Sequence, residues 1–441
     1  MNEQNAAALT AIATTDLAAV TRGRFVATKY LEQYAETGVG WVPANLCLNA
    51  FSAVATSNPW GSEGDLRLVP DMSARYRTNA TGGVTPFDVV IGDILNLDGS
   101  PWSCCTRHIL REALAQLKAD MGLTVIAGFE QEFKILAADI PGDHSFSVSA
   151  LRRMDPFAGR LMAALEEAGV EPDVVIAEYG QDQFEITCRP SEALRAADRA
   201  VAIREIVREV CRILGWRATF SPKTTPDTVG NGVHIHFSFL DNRGAPVTYD
   251  PQQKAGLSRE AAAFCAGVLS HLPALSALTA PSVPSFYRLR PHNWSSSFTW
   301  LAERNREASL RICPTVTIGG RDPASQFNIE YRPADAIANP YLALAAIVRA
   351  GHEGGTRRLP APQLVARDPS EMSADERVKL GLLRLPETFE DALAALQSDS
   401  AVISWFNPLL MESFLGVKRS EIQLLAGLDP AAICERYRSV Y

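Results

Sequence analysis

The 441-residue sequence has no surplus of positive charge and no long uninterrupted run of apolar residues. Its 42 Lys and Arg residues are outnumbered by 50 Asp and Glu residues, which gives a formal net charge of -8. Because nucleic acids and anionic membrane surfaces attract basic patches, neither is expected as a partner. The longest apolar stretches, such as residues 341–348, stay far below the roughly 18 to 20 residues that a membrane span requires.

Paired cysteines and a basic leader segment are also missing. The eight Cys residues are scattered and none forms a Cys-x-x-Cys pair, which argues against a disulfide framework and a cysteine-based zinc site. No basic segment precedes an apolar core near the start of the sequence, so no secretory signal is expected. These absences favour a cytoplasmic protein with reduced thiols.

The common nucleotide-binding loops are absent as well. The sequence contains neither a Gly-x-x-x-x-Gly-Lys-Ser/Thr loop nor a Gly-x-Gly-x-x-Gly helix entry, which excludes the usual P-loop and Rossmann routes to a nucleotide. There is no internal repeat, and apolar residues make up 47% of the chain, as is typical of a folded globular protein.

The length of the chain favours two unequal domains. Residues 1–103 alternate short apolar runs with Gly, Asn and Asp, a texture typical of a small β-rich domain. Residues 104–441 mix helical periodicity with strand-like segments, which predicts an α+β domain whose large sheet carries helices on one face. Helices are predicted at 107–122, 155–168, 191–214, 255–269 and 339–350, and strands at 123–136, 173–178, 184–188, 216–221, 233–239, 308–312 and 327–332.

Acidic residues occur within and at the ends of these predicted strands, where solvent exposure explains them poorly. Glu130 and Glu132 are two residues apart and should point to the same face of the sheet. Similar strand positions are occupied by Glu178, Glu185 and Glu330. Like charges on one face raise each other's pKa or share a cation. For Glu130 and Glu132 alone, a sheet face open to water is the alternative.

Two histidines on another predicted strand add a second type of ligand. His234 and His236 share one face with Ser238. A single strand histidine is more often a hydrogen-bonded core residue than a ligand. If the five carboxylates and an imidazole converge, however, the site is rich in oxygen and suits Mg²⁺ or Mn²⁺ rather than zinc. More than one ion is then required, because one ion leaves large uncompensated negative charge.

Four arginines follow in the second half of the chain, at Arg288, Arg306, Arg311 and Arg332. Arginine suits bidentate contact with carboxylates and phosphates, although an array of surface salt bridges is the alternative. Acidic metal ligands opposite a set of arginines are what phosphoryl transfer from a nucleotide requires. The metals neutralise anionic oxygens and the arginines stabilise the transferring group.

Over nearly the whole chain these residues resemble the glutamine synthetase superfamily. The matching blocks are GDLRLVPD (64–71), GFEQEF (128–133), EYG and QDQFEI (178–186), GNGVHIHFS (230–238), YRL (287–289), NREASLR (305–311) and IEYRPADAIANPYLALAAIVRAG (329–351). The resemblance implies a β-grasp domain over residues 1–103 and a catalytic domain with a large curved antiparallel sheet over residues 104–441. It also implies a homo-oligomer of stacked rings, such as a dodecamer.

The resemblance further implies ATP as co-substrate and two or three Mg²⁺ or Mn²⁺ ions per site. One metal would be held by Glu132, Glu178 and Glu185, and the other by Glu130, His234 and Glu330. The nucleotide would contact His236, Ser238 and Arg311, and glutamate would contact Gly230, Arg288 and Arg332. Arg306 would stabilise the transferring phosphoryl group, and Asp65, supplied by a neighbouring subunit, would take a proton from the incoming ammonium or amine.

The reaction implied by the resemblance converts the glutamate side chain to γ-glutamyl phosphate, from which an amine displaces phosphate to give an amide. Trp294 departs from the glutamine-forming enzymes, which usually carry a Glu here that helps to bind ammonium. A neutral aromatic ring instead offers a π face or an apolar wall to an organic amine. We therefore expect an alkyl- or arylamine as acceptor, with ammonia, as in an ordinary glutamine synthetase, as the alternative.

Two other classes of function are open to the sequence. A catalytically silent relative, serving as a structural or metal-binding assembly, should have lost metal or arginine positions, whereas this chain retains all six expected ligands. A metal-dependent amidohydrolase, suggested by His234 and His236, would need further metal-binding histidines, and the other five His residues lie outside comparable strand motifs.

Overall fold

The computed structural model describes residues 7–137 and 140–441, and its first sheet is built from the first hundred residues. The five strands of this small sheet are β1 (Leu9–Thr15), β2 (Thr21–Ala27), β3 (Val39–Trp41), β4 (Leu66–Thr78) and β5 (Phe87–Leu95). Their order is β2-β1-β5-β4-β3, with β1 and β5 parallel and the other neighbours antiparallel. The β-rich character predicted for this region is confirmed.

A nine-stranded sheet forms the centre of the rest of the chain. Its strands are β6 (Thr124–Leu136), β7 (Pro172–Ala177), β8 (Gln183–Cys188), β9 (Ser191–Glu192), β10 (Arg217–Thr219), β11 (Val233–Leu240), β12 (Leu301–Glu303), β13 (Leu310–Ile312) and β14 (Ile329–Tyr331). The order is β12-β13-β14-β11-β6-β8-β7, and β9 and β10 also pair with β6. Apart from the parallel pair β12 and β13, neighbouring strands are antiparallel, as predicted.

Twelve α-helices are found in the described residues. They are α1 (Thr106–Met121), α2 (Val148–Arg152), α3 (Phe157–Glu167), α4 (Ala193–Ile213), α5 (Arg259–Thr279), α6 (Val283–Arg288), α7 (Pro340–Thr356), α8 (Ala374–Lys379), α9 (Phe389–Ser398), α10 (Ser400–Ser404), α11 (Pro408–Leu425) and α12 (Pro430–Val440). The five helices predicted from periodicity are all present. The short helices α2 and α6 and the helices that follow α7 were not predicted.

The prediction for α5, residues 255–269, was wrong at both ends. The helix begins only after Ser258, whose side chain caps it by accepting a hydrogen bond from the Ala261 amide, and it continues through Pro273. By composition α5 is long and apolar enough to cross a membrane, but most of that stretch is buried inside the fold. This burial compensates for the backbone hydrogen bond that a proline removes.

Close packing of α5 against α7 depends on two glycines. A Cβ atom on Gly267 would lie 2.1 Å from the Ala350 carbonyl oxygen, and one on Gly354 would lie 2.2 Å from the Ala263 carbonyl oxygen. The two helix backbones therefore touch directly at a point where no side chain fits.

The central strand β6 separates a packed face from a polar face. Phe129 and Phe133 are buried, and Gln131 donates a hydrogen bond of 2.9 Å to the Ala200 carbonyl of α4. These three side chains point towards the helices, so the alternating positions point to the opposite face. Glu130 and Glu132 therefore share the face that the alternation predicts.

A buried arginine ties the small sheet to the helices behind the large one. Arg107, at the start of α1, donates to Asp71 of β4 at 2.8 Å, to Asp93 of β5 at 2.9 Å and to Asp198 of α4 at 2.9 Å. Asp198 also accepts a hydrogen bond of 2.7 Å from the Tyr341 hydroxyl of α7. One guanidinium group, with its donors shared among three carboxylates, therefore joins two strands of the small sheet to helix α4.

We predict that Arg107→Met destabilises the fold strongly, because it leaves the Asp198 carboxylate buried without its cation. Breaking a buried pair in this way costs about 3 to 5 kcal/mol. The matched control is Arg111→Met, which removes a half-exposed arginine that lies 2.8 Å from Asp93 and should cost about 0 to 1 kcal/mol. Urea unfolding followed by circular dichroism measures both, and equal losses for the two variants would contradict the account.

Candidate active site

Strand register brings the predicted metal ligands together on the polar face of the large sheet. Glu130 lies opposite His234 where β6 pairs with β11, and Glu132 lies opposite Glu185 where β6 pairs with β8. Glu330 of β14 lies opposite His236 of β11. Directly opposed residues share a face and place their Cβ atoms about 5 Å apart. Residues separated by up to two hundred positions in sequence therefore meet without any loop having to position them.

Two overlapping groups of side chains could each hold a metal ion. Glu130, Glu185 and His234 form one group and Glu130, His236 and Glu330 the other, with the ligand atoms of each group within 4.8 Å of one another. His234 Nδ1 lies 3.3 Å from Glu130 and 3.5 Å from Glu330, and His236 Nε2 lies 3.1 Å from Glu130. Glu130 is common to both groups, which is a suitable arrangement for neighbouring ions.

His236 was expected to contact the nucleotide, but it lies beside the candidate metal ligand Glu130. Its Nδ1 atom is 2.8 Å from the side-chain oxygen of Asn328, which leaves Nε2 on the side of Glu130. Among the described residues this buried Nε2 atom has no hydrogen-bond partner of good geometry. A buried nitrogen without a partner beside a carboxylate fits a metal site. The nucleotide contact of His236 stays a prediction.

Glu132 and Glu178 extend the cluster along the same face. One oxygen of Glu132 accepts hydrogen bonds of 2.9 Å from the Gly232 amide and 3.0 Å from the Gln183 side chain. Glu178 follows β7 directly, and its side chain accepts a bond from the Tyr179 amide at 3.1 Å. Neither Glu132 nor Glu178 belongs to the two groups above, and Glu185 lies with Glu130 and His234, so the prediction that Glu132, Glu178 and Glu185 share one metal stays a prediction.

The cluster carries more negative charge than the chain itself neutralises. Burial, helped by the charge of Glu178, raises the pKa of Glu132 to about 7. Burial also raises the pKa of Glu178, and burial with the nearby carboxylates raises that of Glu185. Burial lowers the pKa of His234, which keeps the ring neutral and able to bind a metal. Divalent cations would supply the missing positive charge, so the residues fit Mg²⁺ or Mn²⁺.

Two of the four predicted arginines contact Glu330. Arg311 donates to one carboxylate oxygen at 2.7 Å, and Arg332 donates to the other. Although burial acts in the opposite direction, the charge of Arg332 and the hydrogen bond from Arg311 lower the pKa of Glu330 to about 2. Glu330 is therefore ionised and held in one orientation between the two guanidinium groups.

The third arginine, Arg288, lies buried beside the predicted glutamate-binding glycine. Its Nη2 atom donates to the carbonyls of Pro333 and Ala334 at 2.9 and 2.7 Å. A Cβ atom on Gly230 would lie 2.6 Å from the Arg288 side chain, so only glycine permits this approach. The fourth arginine, Arg306, is exposed between β12 and β13, and its charge opposes the rise in the pKa of Glu178.

Three other predicted site residues take different positions. Ser238 is half-buried on β11, on the face of His234 and His236. Asp65 is exposed just before β4 in the small sheet, and no hydrogen bond or ion pair within residues 7–137 and 140–441 joins it to the cluster. Its predicted role in a neighbouring subunit's site stays a prediction. The Trp294 side chain is exposed, and its carbonyl accepts a hydrogen bond of 2.9 Å from Arg332.

Two aromatic residues near Trp294 escaped the sequence analysis. The ring centroid of Tyr179 lies 6.1 Å from that of Trp294 and 6.5 Å from that of Phe146. We call Phe146, Tyr179 and Trp294 the aromatic rim. Their exposed fractions are 53%, 56% and 58%, which is unusual for three adjacent aromatic rings. The signal in the sequence was the position of Tyr179 directly after Glu178.

Comparisons with known proteins agree with this geometry. Sequence profiles of the glutamine synthetase N-terminal domain and catalytic domain match residues 2–102 and 103–428. The chain is 34% identical to a gamma-glutamylpolyamine synthetase of Streptomyces coelicolor, over 98% of this chain and 93% of that protein. It is 31% identical to a glutamine synthetase of Halobacterium salinarum, over 81% and 80%. A crystal structure of a novel glutamine synthase homolog superposes over the whole of both chains with a TM-score of 0.91 and 43% identity.

The raised carboxylate pKa values predict that metal binding strengthens with pH. At pH 6 protons neutralise part of the cluster and compete with the cation, whereas at pH 8 Glu132, with its pKa of about 7, is ionised. The increase in melting temperature caused by Mn²⁺ should therefore be larger at pH 8 than at pH 6. Differential scanning fluorimetry with and without Mn²⁺ measures it.

The matched variant Glu132→Gln removes this titrating group while keeping the size of the side chain. It should reduce both the Mn²⁺ effect and its dependence on pH. A stabilisation by Mn²⁺ that is equal at both pH values in the unmodified protein would refute the explanation.

Proposed function

We propose that this chain, which belongs to the glutamine synthetase family of carbon-nitrogen ligases, joins the γ-carboxylate of glutamate to an organic amine with hydrolysis of ATP to ADP and phosphate. The observation that carries this proposal is the aromatic rim beside the carboxylate cluster, with Trp294 where glutamine-forming enzymes usually carry a Glu. An apolar wall favours an amine with an organic body over ammonia. The name of the Streptomyces coelicolor relative, a gamma-glutamylpolyamine synthetase, supports an amine as acceptor.

The first step of the proposed reaction brings together two anions. An oxygen of the glutamate side chain attacks the γ-phosphorus of ATP, which forms γ-glutamyl phosphate and releases ADP. At an effective dielectric constant near 20, one pair of unit charges 4 Å apart already repels by about 4 kcal/mol. Two or three Mg²⁺ or Mn²⁺ ions bound by the cluster would neutralise the phosphate oxygens. We assign them the ligands Glu130, Glu132, Glu178, Glu185, His234 and Glu330.

The arginines have separate tasks in this proposal. Arg306, whose side chain is exposed near Glu178, stabilises the charge of the transferring phosphoryl group. Arg311, together with His236 and Ser238, contacts the nucleotide. Within the part of the chain that the structure describes, the Nε atoms of Arg288 and Arg332 are buried and unpartnered. These donors support a role for both arginines, beside Gly230, in binding glutamate.

The second step requires a neutral amine. Asp65 of a neighbouring subunit takes a proton from the ammonium form, which frees the nitrogen lone pair. The nitrogen attacks the acyl carbon, the carbon-nitrogen bond forms, phosphate leaves with the bonding electrons, and the nitrogen loses its excess proton to the released phosphate. Because Asp65 is exposed and lies just before β4 of the small sheet, we further propose a homo-oligomer of stacked rings, such as a dodecamer, in which residues 1–103 of one subunit complete the site of the next.

The remaining proposals follow from the same assignment. Residues 1–103 form the N-terminal domain and residues 104–441 the catalytic domain of a cytoplasmic enzyme.

An ordinary glutamine synthetase is the second candidate, and the similarity to the Halobacterium salinarum enzyme favours it. A catalytically silent assembly is less well supported, because Glu130, Glu185, His234 and Glu330 belong to groups that could hold a metal ion, and Arg311 and Arg332 both donate to Glu330.

We expect organic amines to be better substrates than ammonia. Purified protein with glutamate, ATP and Mg²⁺ would receive ammonia, methylamine, isopropylamine, aniline or a polyamine in turn. Phosphate release gives kcat/KM, and mass spectrometry identifies the amide product. The kcat/KM of at least one organic amine should exceed that of ammonia by about tenfold, equivalent to about 1.4 kcal/mol of additional transition-state binding. If ammonia were used far better than every amine, the second candidate would replace the first.

A substitution in the aromatic rim should shift this preference. Trp294→Glu replaces the apolar wall with a carboxylate that attracts ammonium, so kcat/KM should fall for the preferred organic amine and rise for ammonia. The control Leu97→Glu places the same charge at an exposed apolar residue in the turn after β5. Unchanged relative kcat/KM values in Trp294→Glu would remove Trp294 from the amine site.

A further inference from the structure

The segment that carries Trp294 has an unfavourable backbone conformation. His292 and Trp294 have φ angles of 61° and 49°. Residues with side chains rarely adopt this left-handed region, because Cβ then crowds the backbone. The segment after α6 therefore does not hold its shape through its own conformational preference, and contacts from elsewhere must fix it.

Glu307 supplies those contacts. Its carboxylate accepts hydrogen bonds from the amides of His292 and Trp294, at 3.1 and 2.7 Å, with one oxygen for each. The two bound amides belong to the two left-handed residues. Glu307 is itself held in place, since its amide donates to the Asn305 side chain at 2.9 Å and its carbonyl accepts from the Trp300 indole at 3.1 Å. Hydrogen bonds to a charged acceptor are stronger than neutral ones.

The Trp294 peptide is held from the opposite side as well. Its carbonyl accepts the hydrogen bond from Arg332, which also binds Glu330 in the metal cluster. Its ring lies beside Tyr179, whose amide bonds to Glu178. The position of the aromatic rim relative to the metal cluster is thus fixed by contacts on both sides of Trp294, and Glu307 provides one of them.

We infer that Glu307 is a positioning residue that holds Trp294 against the organic part of the incoming amine and thereby sets the selectivity against ammonia. The inference rests on the proposed function and adds the residue that controls its acceptor site. Ammonia is too small to use an apolar wall, so loss of this position affects organic amines alone. If Glu307 instead bound the ammonium group directly, ammonia and organic amines would lose activity together.

The test compares Glu307→Gln with the unmodified enzyme. The glutamine side chain has nearly the same size, but only its oxygen can accept, so one of the two amides loses its partner. The KM of the preferred organic amine should rise about tenfold, which corresponds to about 1.4 kcal/mol. We expect kcat at saturating amine, the KM of glutamate and of ATP, and kcat/KM for ammonia to change less than about twofold.

Two further variants make the result specific. Glu303→Gln is the matched control, because this exposed glutamate of β12 pairs only with the adjacent Arg304 at 3.5 Å within the described residues, and it should change nothing. Adding His292→Gly to Glu307→Gln should lower the raised KM of the amine part of the way to its original value, since glycine adopts a positive φ without steric cost. If Glu307→Gln does not fold, Glu307→Asp replaces it in the test. Its shorter side chain reaches fewer donors, so the KM of the organic amine should rise in the same way.

The outcomes distinguish this inference from the proposed function. An enzyme that prefers organic amines but keeps its amine KM in folded Glu307→Gln or Glu307→Asp overturns the inference alone. Equal losses for ammonia and amines overturn it in favour of direct ammonium binding. An unmodified enzyme that prefers ammonia overturns the proposed function and the inference with it.

Discussion

Repulsion among carboxylates that share a buried sheet face is the constraint on which this structure depends. The pairing of β6 with β8 and β11 brings Glu130, Glu132 and Glu185 together. Contacts with His234 and His236 lower the pKa of Glu130 despite its burial, but burial and the nearby carboxylates raise the pKa of Glu132 and Glu185, so the conflict remains there. Such a face is tolerated only if protons or cations neutralise it. The opposite face of the sheet packs against helices, including α4. Arg107 joins α4 to the small sheet, which helps to hold the carboxylates in place.

At one end of the cluster, two arginines neutralise part of this negative charge. Glu330 is already paired with Arg311 and Arg332, so it stays ionised whatever occupies the cluster. Within the described residues, Glu132, Glu178 and Glu185 form no ion pair with an arginine. The negative charge is therefore neutralised around Glu330 and uncompensated around Glu132, Glu178 and Glu185. Bound cations are needed most around these three residues. Arg332 also donates to the Trp294 carbonyl, which links Glu330 to the wall of the proposed amine site.

Much of this arrangement could be predicted from the sequence because sheets have a simple period. Alternation within β6 was sufficient to place Glu130 and Glu132 on one face. The end of α5 could not be predicted in this way, since continuation past Pro273 depends on packing against α7. Loops carry no period, so nothing in the sequence indicated that Phe146 lies beside Tyr179, and only its position directly after Glu178 marked Tyr179. The contacts of Glu307 were equally invisible, because its partners are backbone amides that any sequence provides.

The most direct test is to count the Mn²⁺ ions that the protein binds, by equilibrium dialysis with electron paramagnetic resonance of the bound ions. The account predicts at least two ions per chain and a loss of bound Mn²⁺ in Glu130→Gln, since both candidate groups include Glu130. Ligation by more than one ion would then explain how the buried charge is neutralised. A chain that binds one ion or none, and that forms its amide product equally well after chelation, would contradict the account.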